Sequence, residues 1–563
     1  MAEMLAGLMQ DDFPLNLQHV RRRMRDCHPA AEVLTLTTEG TVRASFAEIS
    51  ARVDRLARVL RRLGIESGDR VGTFAWNNQR HFEFYLAVPC VGAVLHTLNV
   101  RLFAEQLVYI VNHAADRVIF VDDSLVPLLE KLAPELPAVE HYVVMGDGDA
   151  GSLPNVLRYE ELLAEADADG GEPFEYPEID ERQAASLCYT SGTTGNPKGV
   201  LYSHRSVCLH ATASLFADNL ALSRRDRALV IVPMFHVNAW GIPYAAALCG
   251  ADLLMPDRFL QAEPLARAIQ AERPTVAGCV PTIFADLLRY ADANDVDLSS
   301  LTHAVCGGSA VPRQLMKDFQ ERHGVHIYQG WGMTETSPVV TFCEPVEDPQ
   351  RGRDERYWDE RALQGKPLPW TELRLVDDDG REVPWDGEST GEIQVRGPWI
   401  AKRYFDDASG DEKFDGEWLR TGDIAAMDEH AFVRITDRSK DVIKSGGEWI
   451  SSVELENQLM AHPDVLEAAV IAKPDERWAE RPLCCVVLCE GATADPDALI
   501  EHLRPHVAKW WLPDEFAFIA EVPKTSVGKF DKKVLRARLS EGELEGRVTV
   551  GADPQTEVKG AHA

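Results

Sequence analysis

The run Tyr189-Thr-Ser-Gly-Thr-Thr-Gly-Asn-Pro-Lys-Gly199 constrains this chain more than any other segment. It follows an apolar stretch and packs hydroxyls and glycines around a single lysine. Glycines let a backbone fold closely around an oxyanion, hydroxyls and N–H groups donate to it, and Lys198 neutralises its charge. These residue types read as a polyphosphate grip built from Thr190, Ser191, Gly192, Thr193, Thr194, Gly195 and Lys198. It is not a Walker A loop, because Lys198 is followed by Gly199 and the hydroxyl of G-K-[ST] that would bind magnesium is missing. A functionless surface turn is the bland alternative, and so dense a hydroxyl–glycine–lysine run disfavours it.

A phosphate-gripping loop needs a folded chain around it, and the composition supplies one. Of 563 residues 45% are hydrophobic and 26% charged, which excludes global disorder and leaves ample apolar material for a large core. The 58 basic and 90 acidic side chains leave a net charge of −32, which argues against a nucleic-acid or anionic-membrane partner. An anionic substrate must then be captured by local Lys and Arg against the global field. The 11 cysteines are scattered without C-x-x-C spacing, and the neighbours Cys484 and Cys485 sit in an apolar run expected to be a buried strand. No clustered zinc ligands are present in the sequence. The N-terminus lacks a basic n-region, and the longest apolar stretch, Tyr85 to Leu98, contains a proline and is too short to span a bilayer. A cytoplasmic protein without an integral membrane segment is expected.

Phe46, Ile49, Val53, Leu56, Val59, Leu60 and Leu63 recur at helical spacing, predicting an amphipathic helix over 46–63 with Arg52, Arg55, Arg58 and Arg61 on its wet side. Short apolar runs at Arg117–Val121, Ala228–Pro233 and Thr302–Cys306 alternate with helical patterns such as Gln261–Ala271, predicting α/β layers with largely parallel sheets. After about residue 365 the texture becomes β-rich, with strands expected at Glu372–Val376, Gly391–Arg396 and Phe432–Ile435. A new αβ pattern begins at Asp441, with strands expected at Glu467–Ala472 and Leu483–Leu488. The polar segment Thr436–Lys440 is the expected interdomain joint.

SGTTGNPKG resembles the phosphate loop of the adenylate-forming superfamily, which contains acyl-CoA synthetases, peptide-synthetase adenylation domains and beetle luciferases. Other motifs follow in the family's order. Gln329-Gly-Trp-Gly-Met-Thr-Glu335 is similar to its adenine-and-magnesium motif, Thr421-Gly-Asp423 to its ribose motif, Asp437 to Glu448 to its hinge, and Pro523 to Lys529 to its catalytic-lysine loop. VPMFHVNAWG (232–241) and KSGGEWISSVELEN (444–457) resemble the bacterial medium- and long-chain fatty-acyl-CoA synthetase branch.

The resemblance implies roles residue by residue. Glu335 and Thr190 share Mg²⁺, a hard cation that takes few protein ligands. Trp331, with Gln329, Gly330, Gly332, Met333 and Thr334, forms one face of the adenine slot, with Gly307, Gly308 and Ser309 on the other. Asp423, an acceptor-only group, grips the ribose hydroxyls, and Ile435 lies nearby. Arg438 contacts phosphate and Lys440 is the pivot. The diglycine Gly446-Gly447, Lys444 and Trp449 belong to the loop by the pantetheine tunnel. His236 lies by the carboxylate with Val237, and Trp240 gates the acyl tunnel. Lys529 meets the carboxylate and α-phosphate as charge shifts. Ser451 and Glu454 read as a helix capping box, a structural role.

The implied fold is α/β: a large N-terminal domain of two stacked α/β sheets plus a small β-barrel, and a smaller mobile α+β C-terminal domain. Boundaries are expected at 1–437, a hinge at 438–440, 441–545, and a disordered tail at 546–563. The implied reaction joins a fatty acid to coenzyme A through an acyl-adenylate, with ATP and Mg²⁺. Alternatives are a CoA ligase for an aryl, methylthio-propanoate or sterol side-chain acid, and a stand-alone carrier-loading enzyme. Oligomeric state is open, a homodimer included.

Overall fold

The helix Phe46–Arg62 forms where the apolar period predicts it, and its start is fixed locally. Ser45 accepts the Glu48 N–H while Glu48 accepts the Ser45 N–H, a complete capping box. Phe46, Ile49, Val53, Leu56 and Leu60 are fully buried. One expected solvent-facing residue turns inward: Arg52 Nε lies 2.6 Å from Glu83 Oε1, a carboxylate with no exposure at all. A buried carboxylate needs a partner, and Arg52 is long enough to supply it.

This computed structural model describes residues 8–550 except 168–173, 191–195, 344–352, 439–440, 446–447, 476 and 526–527. Two sheets dominate the N-terminal part. The seven-stranded sheet runs Val156–Arg158, His141–Met145, Val118–Asp122, Arg70–Phe74, Val94–Thr97, Ala184–Tyr189, Gly199–Ser203. Its pairs are parallel except the last, where Ala184–Tyr189 meets Gly199–Ser203 antiparallel and the phosphate loop joins them. The nine-stranded sheet carries Arg227–Val230, Val276–Cys279, His303–Gly307 and His326–Gly332 as parallel neighbours. The expected runs at Arg117–Val121, Ala228–Pro233 and Thr302–Cys306 are therefore strands, each shifted or trimmed slightly at its ends. The largest core lies between these sheets, filled from Phe46–Arg62, Gln79–Cys90 and Ile242–Cys249.

A polar clip ties the two sheets together. Asn77 Nδ2 donates to the carbonyls of Val230 (2.7 Å) and Val232 (2.8 Å), and Asn77 Oδ1 accepts the Met234 N–H at 2.7 Å. The next residue bridges two acids: Asn78 Nδ2 donates to Asp122 Oδ2 at 2.9 Å and Asp257 Oδ2 at 3.1 Å. This clip fixes the segment that carries His236.

The β-rich region forms a five-stranded antiparallel sheet: Glu372–Val376, Thr390–Arg396, Trp418–Met427 and Phe414–Asp415 in that order, with Val433–Arg438 on Trp418–Met427. Three of these strands, Glu372–Val376, Thr390–Arg396 and Val433–Arg438, answer to the expected runs Glu372–Val376, Gly391–Arg396 and Phe432–Ile435. The last one runs through Asp437 and Arg438, further into the expected joint than its polar sequence suggests. The C-terminal unit has a six-stranded sheet in which Cys484 and Cys485 are fully buried on Ala479–Leu488, as expected. Two expectations change here. Arg547–Thr549, read as tail, pairs with Glu515–Phe518, so the order extends past residue 546; residues 551–563 lie outside those described. At Ser451 only half a capping box forms: its hydroxyl accepts the Glu454 N–H, but the Glu454 carboxylate accepts from Gln458 instead.

Burial, with the Asp257 charge adding to it, pushes the Asp122 carboxyl up to about 7. Its ionisation is easier in the unfolded chain, so the stability contributed by its protonated form is full below about pH 4 and is lost as pH rises through about 7. Asp122→Asn should therefore raise the melting temperature relative to the parent more at pH 8 than at pH 5. Equal shifts at both pH values, or a larger one at pH 5, would refute the ionisation account.

Candidate active site

The neck of the phosphate loop is closed by two bonds: Thr190 N–H donates to Lys198 O (2.9 Å) and Lys198 N–H to Thr190 Oγ1 (3.0 Å). Ser191, Gly192, Thr193, Thr194 and Gly195 lie outside the described residues. Lys198 Nζ sits 4.9 Å from the Tyr404 ring centre and 3.9 Å from Asp407 Oδ2. Tyr404 Oη donates to Glu335 Oε1 at 2.6 Å. Tyr404 thus touches both the phosphate-loop cation and the expected metal ligand. Sequence reading missed it, because nothing in GPWIAKRYF isolates this tyrosine from the aromatic residues around it.

The expected adenine and ribose residues converge. Trp331 Nε1–H donates to Asp423 Oδ2 at 2.9 Å, and Arg438 Nε lies 3.3 Å from Asp423 Oδ1. Gly307 is required by close packing: a Cβ there would lie 2.7 Å from the Gly330 carbonyl and 3.4 Å from the Trp240 ring. Gly308 has φ +90°, and a Cβ would sit 3.1 Å from Lys529 Cε. A Cβ on Gly332 would lie 1.8 Å from Pro338 O. Gln329 has another use for its side chain. Its Oε1 accepts the Val311 N–H (2.7 Å) and its Nε2 donates to Ala362 O (3.1 Å), bracing the strand from behind. Thr334 is buried with its carbonyl on Tyr202 Oη, Met333 N–H faces Pro338 O, and Ile435 N–H donates to Gln364. Ser309 and Lys444 are exposed, Lys444 on Ile443–Ser445. Lys440, Gly446, Gly447 and the Trp449 side chain lie outside the described residues.

Lys529 enters this cleft from the C-terminal unit. Its loop is held by Thr525 N–H to Lys529 O (2.7 Å) and Gly528 N–H to Thr525 O (2.9 Å), and Thr282 Oγ1 donates across to Gly528 O (3.3 Å). Burial and then the Arg438 charge bring the Lys529 ammonium down to about 8, while Asp423 and Glu335 pull the other way. His236 is half-buried beside it, and desolvation plus the Lys529 charge lower its ring to about 3. His236 is therefore neutral at pH 7, a hydrogen-bonding group rather than a cation.

His236 leads into a backbone turn of the wrong hand. Val237, Asn238, Ala239 and Trp240 have φ of 46°, 49°, 49° and 56°, followed by Gly241 at 74°. For L-residues this costs roughly 1–2 kcal/mol each, so tertiary contacts must impose it. Asn238 supplies them: its Nδ2 donates to Ser186 Oγ (2.8 Å) and its Oδ1 accepts the Cys188 thiol (3.2 Å). The turn lays Trp240 against Gly307 and leaves behind it a cavity of about 10 Å³, bordered by Tyr202, His210, Asn238, Tyr244 and Ser337. That volume suits one water.

Residues 22–405 match the family described as AMP-binding enzyme, and residues 454–529 match the AMP-binding enzyme C-terminal domain. The chain belongs to the AMP-binding enzyme family. Among relatives, it is 45% identical to the 3-methylmercaptopropionyl-CoA ligase of Ruegeria pomeroyi, over 90% of this chain and 94% of that one. It is 45% identical to the long-chain-fatty-acid–CoA ligase of Thermus thermophilus (93% and 96% covered) and 41% to the medium-chain enzyme of Ectopseudomonas oleovorans (95% and 97%). The crystal structure of anthranilate CoA ligase AuaEII with anthranoyl-AMP superposes with a TM-score of 0.84 at 28% identity, covering 95% of this chain and 99% of that one. Among the described residues of this AMP-binding enzyme, no helix is long and apolar enough to cross a membrane.

The left-handed turn gives a stability test. Ala239→Gly relieves positive φ while losing a buried methyl, so its net effect should stay within about 1 kcal/mol of zero. Ala57→Gly, equally buried but in the right-handed helix Phe46–Arg62, loses the methyl with no relief and should cost about 1–2 kcal/mol. Denaturant titration of both variants checks the difference; equal losses would mean that the turn is unstrained.

Proposed function

We propose that this protein is an ATP-dependent, AMP-forming acid–CoA ligase for a medium- or long-chain aliphatic acid. One observation carries the reading: Lys529, delivered from the C-terminal unit, is half-buried where the fields of Arg438, Asp423 and Glu335 meet, next to a neutral His236. Such a cation serves where negative charge moves between a carboxylate and a phosphate.

In the first half-reaction an acid oxygen attacks the α-phosphorus of ATP, the bond to the bridging oxygen breaks, and pyrophosphate leaves. Protonated Lys529 stabilises the charge that develops on the transferring group, Lys198 holds the departing phosphates, and His236 donates a hydrogen bond to the acid. Asp423 exchanges its present partners Trp331 and Arg438 for ribose hydroxyls. In the second half-reaction a CoA thiolate attacks the acyl carbon and AMP leaves with the bonding electrons. The first step takes place at phosphorus and the second at the acyl carbon, so one site needs different groups in turn, which fits a C-terminal unit that pivots about Lys440 and withdraws Lys529.

Magnesium fits the residues present. Glu335 is 5% exposed, one of its oxygens holds Tyr404, and Thr190 adds a hydroxyl, an all-oxygen set suited to a hard cation. Bound there, the ion would neutralise phosphate charge. A second reading, a short thioether acid such as methylthio-propanoate, is favoured by the small size of the cavity beside Val237, Asn238 and Gly241 and by the likeness to 3-methylmercaptopropionyl-CoA ligases. CoA-dependent AMP formation across a panel of acids separates the two readings.

Lys529→Ala should nearly abolish pyrophosphate release from acid and ATP yet spare thioester formation from a pre-made acyl-adenylate. In the parent the adenylation kcat/KM should fall as pH rises past about 8, because the protonated form does the work. Equal loss in both half-reactions sinks the domain-swing account.

Each buried methylene contributes about 0.8 kcal/mol, so acid affinity should climb several-fold per carbon until the tunnel ends. If Trp240 is a gate, Trp240→Ala leaves the preferred length alone and weakens the dependence of acid binding on a non-hydrolysable ATP analogue. If it is a floor, the variant lengthens the preferred chain. A preference of the parent for acetate or an aromatic acid would overturn the aliphatic assignment.

A further inference from the structure

The loop that carries Lys529 is tied to the joint between the two units by a buried charge cluster that the proposed reaction does not use. Asp437, 1% exposed, lies one residue from the end of the strand Val433–Arg438. Its Oδ2 accepts both the backbone N–H (2.7 Å) and the hydroxyl (2.6 Å) of Ser452, the first residue of the helix Ser452–Met460. Its Oδ1 accepts the Arg438 N–H at 2.7 Å. A carboxylate at this place satisfies a helix amide that has no partner within its own helix.

The cluster continues to the Lys529 loop. Lys532 Nζ donates to Ser452 Oγ at 2.6 Å and lies 2.7 Å from Glu456 Oε1, an oxygen that also accepts the Val470 N–H (2.7 Å). Lys532 opens the helix Lys532–Glu541, three residues after Lys529. One turn later Arg536 pairs with Asp441, and the Ser451 hydroxyl donates to Thr436 O. The helix that follows Lys529 and the first helix of the C-terminal unit are therefore both pinned to the strand that precedes the connection at 439–440. Although burial opposes it, Glu456, Asp437 and Asp441 hold the Lys532 ammonium above its ordinary value. Lys529, three residues earlier, moves the opposite way. A partner removed from such a buried set leaves an uncompensated charge, so the set holds as a unit or not at all.

We propose that Asp437, acting through Ser452 and Lys532, is a positioning residue that holds Lys529 in the cleft during adenylate formation. The proposal rests on the reading of Lys529 given above. A cluster that spans the joint defines one orientation of the C-terminal unit; weakening it lowers the fraction of molecules with Lys529 in place and leaves intact the chemistry that needs Lys529 withdrawn.

The experiment measures pyrophosphate release from acid and ATP, and separately thioester formation from a synthetic acyl-adenylate and CoA, with melting temperature alongside. Asp437→Asn and Lys532→Met should each lower the first rate roughly ten-fold or more, leave the second within about two-fold, and lose no more together than the worse single change. Lys532→Arg, which keeps the charge, should recover most of the first rate. Parallel decline of both half-reactions, or no decline in either, overturns the proposal. If Asp437→Asn fails to fold, Lys532→Met and Ser452→Ala test the same link from its other two members. Lys529→Ala in the same assays separates the two readings: intact pyrophosphate release there defeats the role of Lys529, whereas its loss beside unaffected Asp437 and Lys532 variants defeats only the positioning.

Discussion

An ammonium drawn partly out of water must be compensated, and the half-buried Lys529 organises much of what surrounds it. The acids whose fields favour its charge, Asp423 and Glu335, are themselves engaged by Trp331, Arg438 and Tyr404. The compensation is incomplete, which leaves the proton on Lys529 less firmly held than on a surface lysine. The site is thus set up for a substrate that brings negative charge. A triphosphate supplies what the protein withholds, and this also resolves how a chain of net charge −32 attracts an anion. Lys198, Arg438 and Lys529 are the local cations, each beside an acid of the cleft.

The cleft needs a rigid floor, and the sheet-joining asparagines provide it. Asn77 and Asn78 convert two separately twisted sheets into one body by satisfying the backbone of 230–234 and two acids, the buried Asp122 and the half-buried Asp257. His236 and the turn after it hang from that body, while Lys529 approaches from the other unit. Two groups that meet at the cleft, His236 and Lys529, are therefore supplied by different units.

Much of this was legible in the sequence, for identifiable reasons. The helix at 46–62 and the strands Glu372–Val376 and Thr390–Arg396 follow from period and turn chemistry alone. The phosphate loop, Glu335, Asp423 and Lys529 stand in motifs dense enough to read. What escaped depends on distant partners. Gln329 looks like a ligand-facing amide until Val311 and Ala362 take both of its ends. Arg52 looks solvated until Glu83, on another helix, needs it. Tyr404 and Lys532 carry no local signature, and Asp437, although it opens the hinge motif, shows nothing of its pairing with Ser452, because these pairings reach across many residues. The reversed hand of 237–240 is invisible too, since Val, Ala and Trp are residues that ordinarily refuse it.

That reversed hand bears on how such a pocket can diversify. Most replacements within 237–240 meet a backbone filter before they meet a substrate, and β-branched side chains fare worst. Glycine, asparagine and aspartate pass it most easily, and they add little shape. New acid preferences are therefore more accessible through the ordinary helical and strand positions that face the turn, His210, Tyr244 and Gly278 among them, than through the turn itself. In a mutational library the turn itself would be the least permissive segment, with variation displaced to the wall behind it.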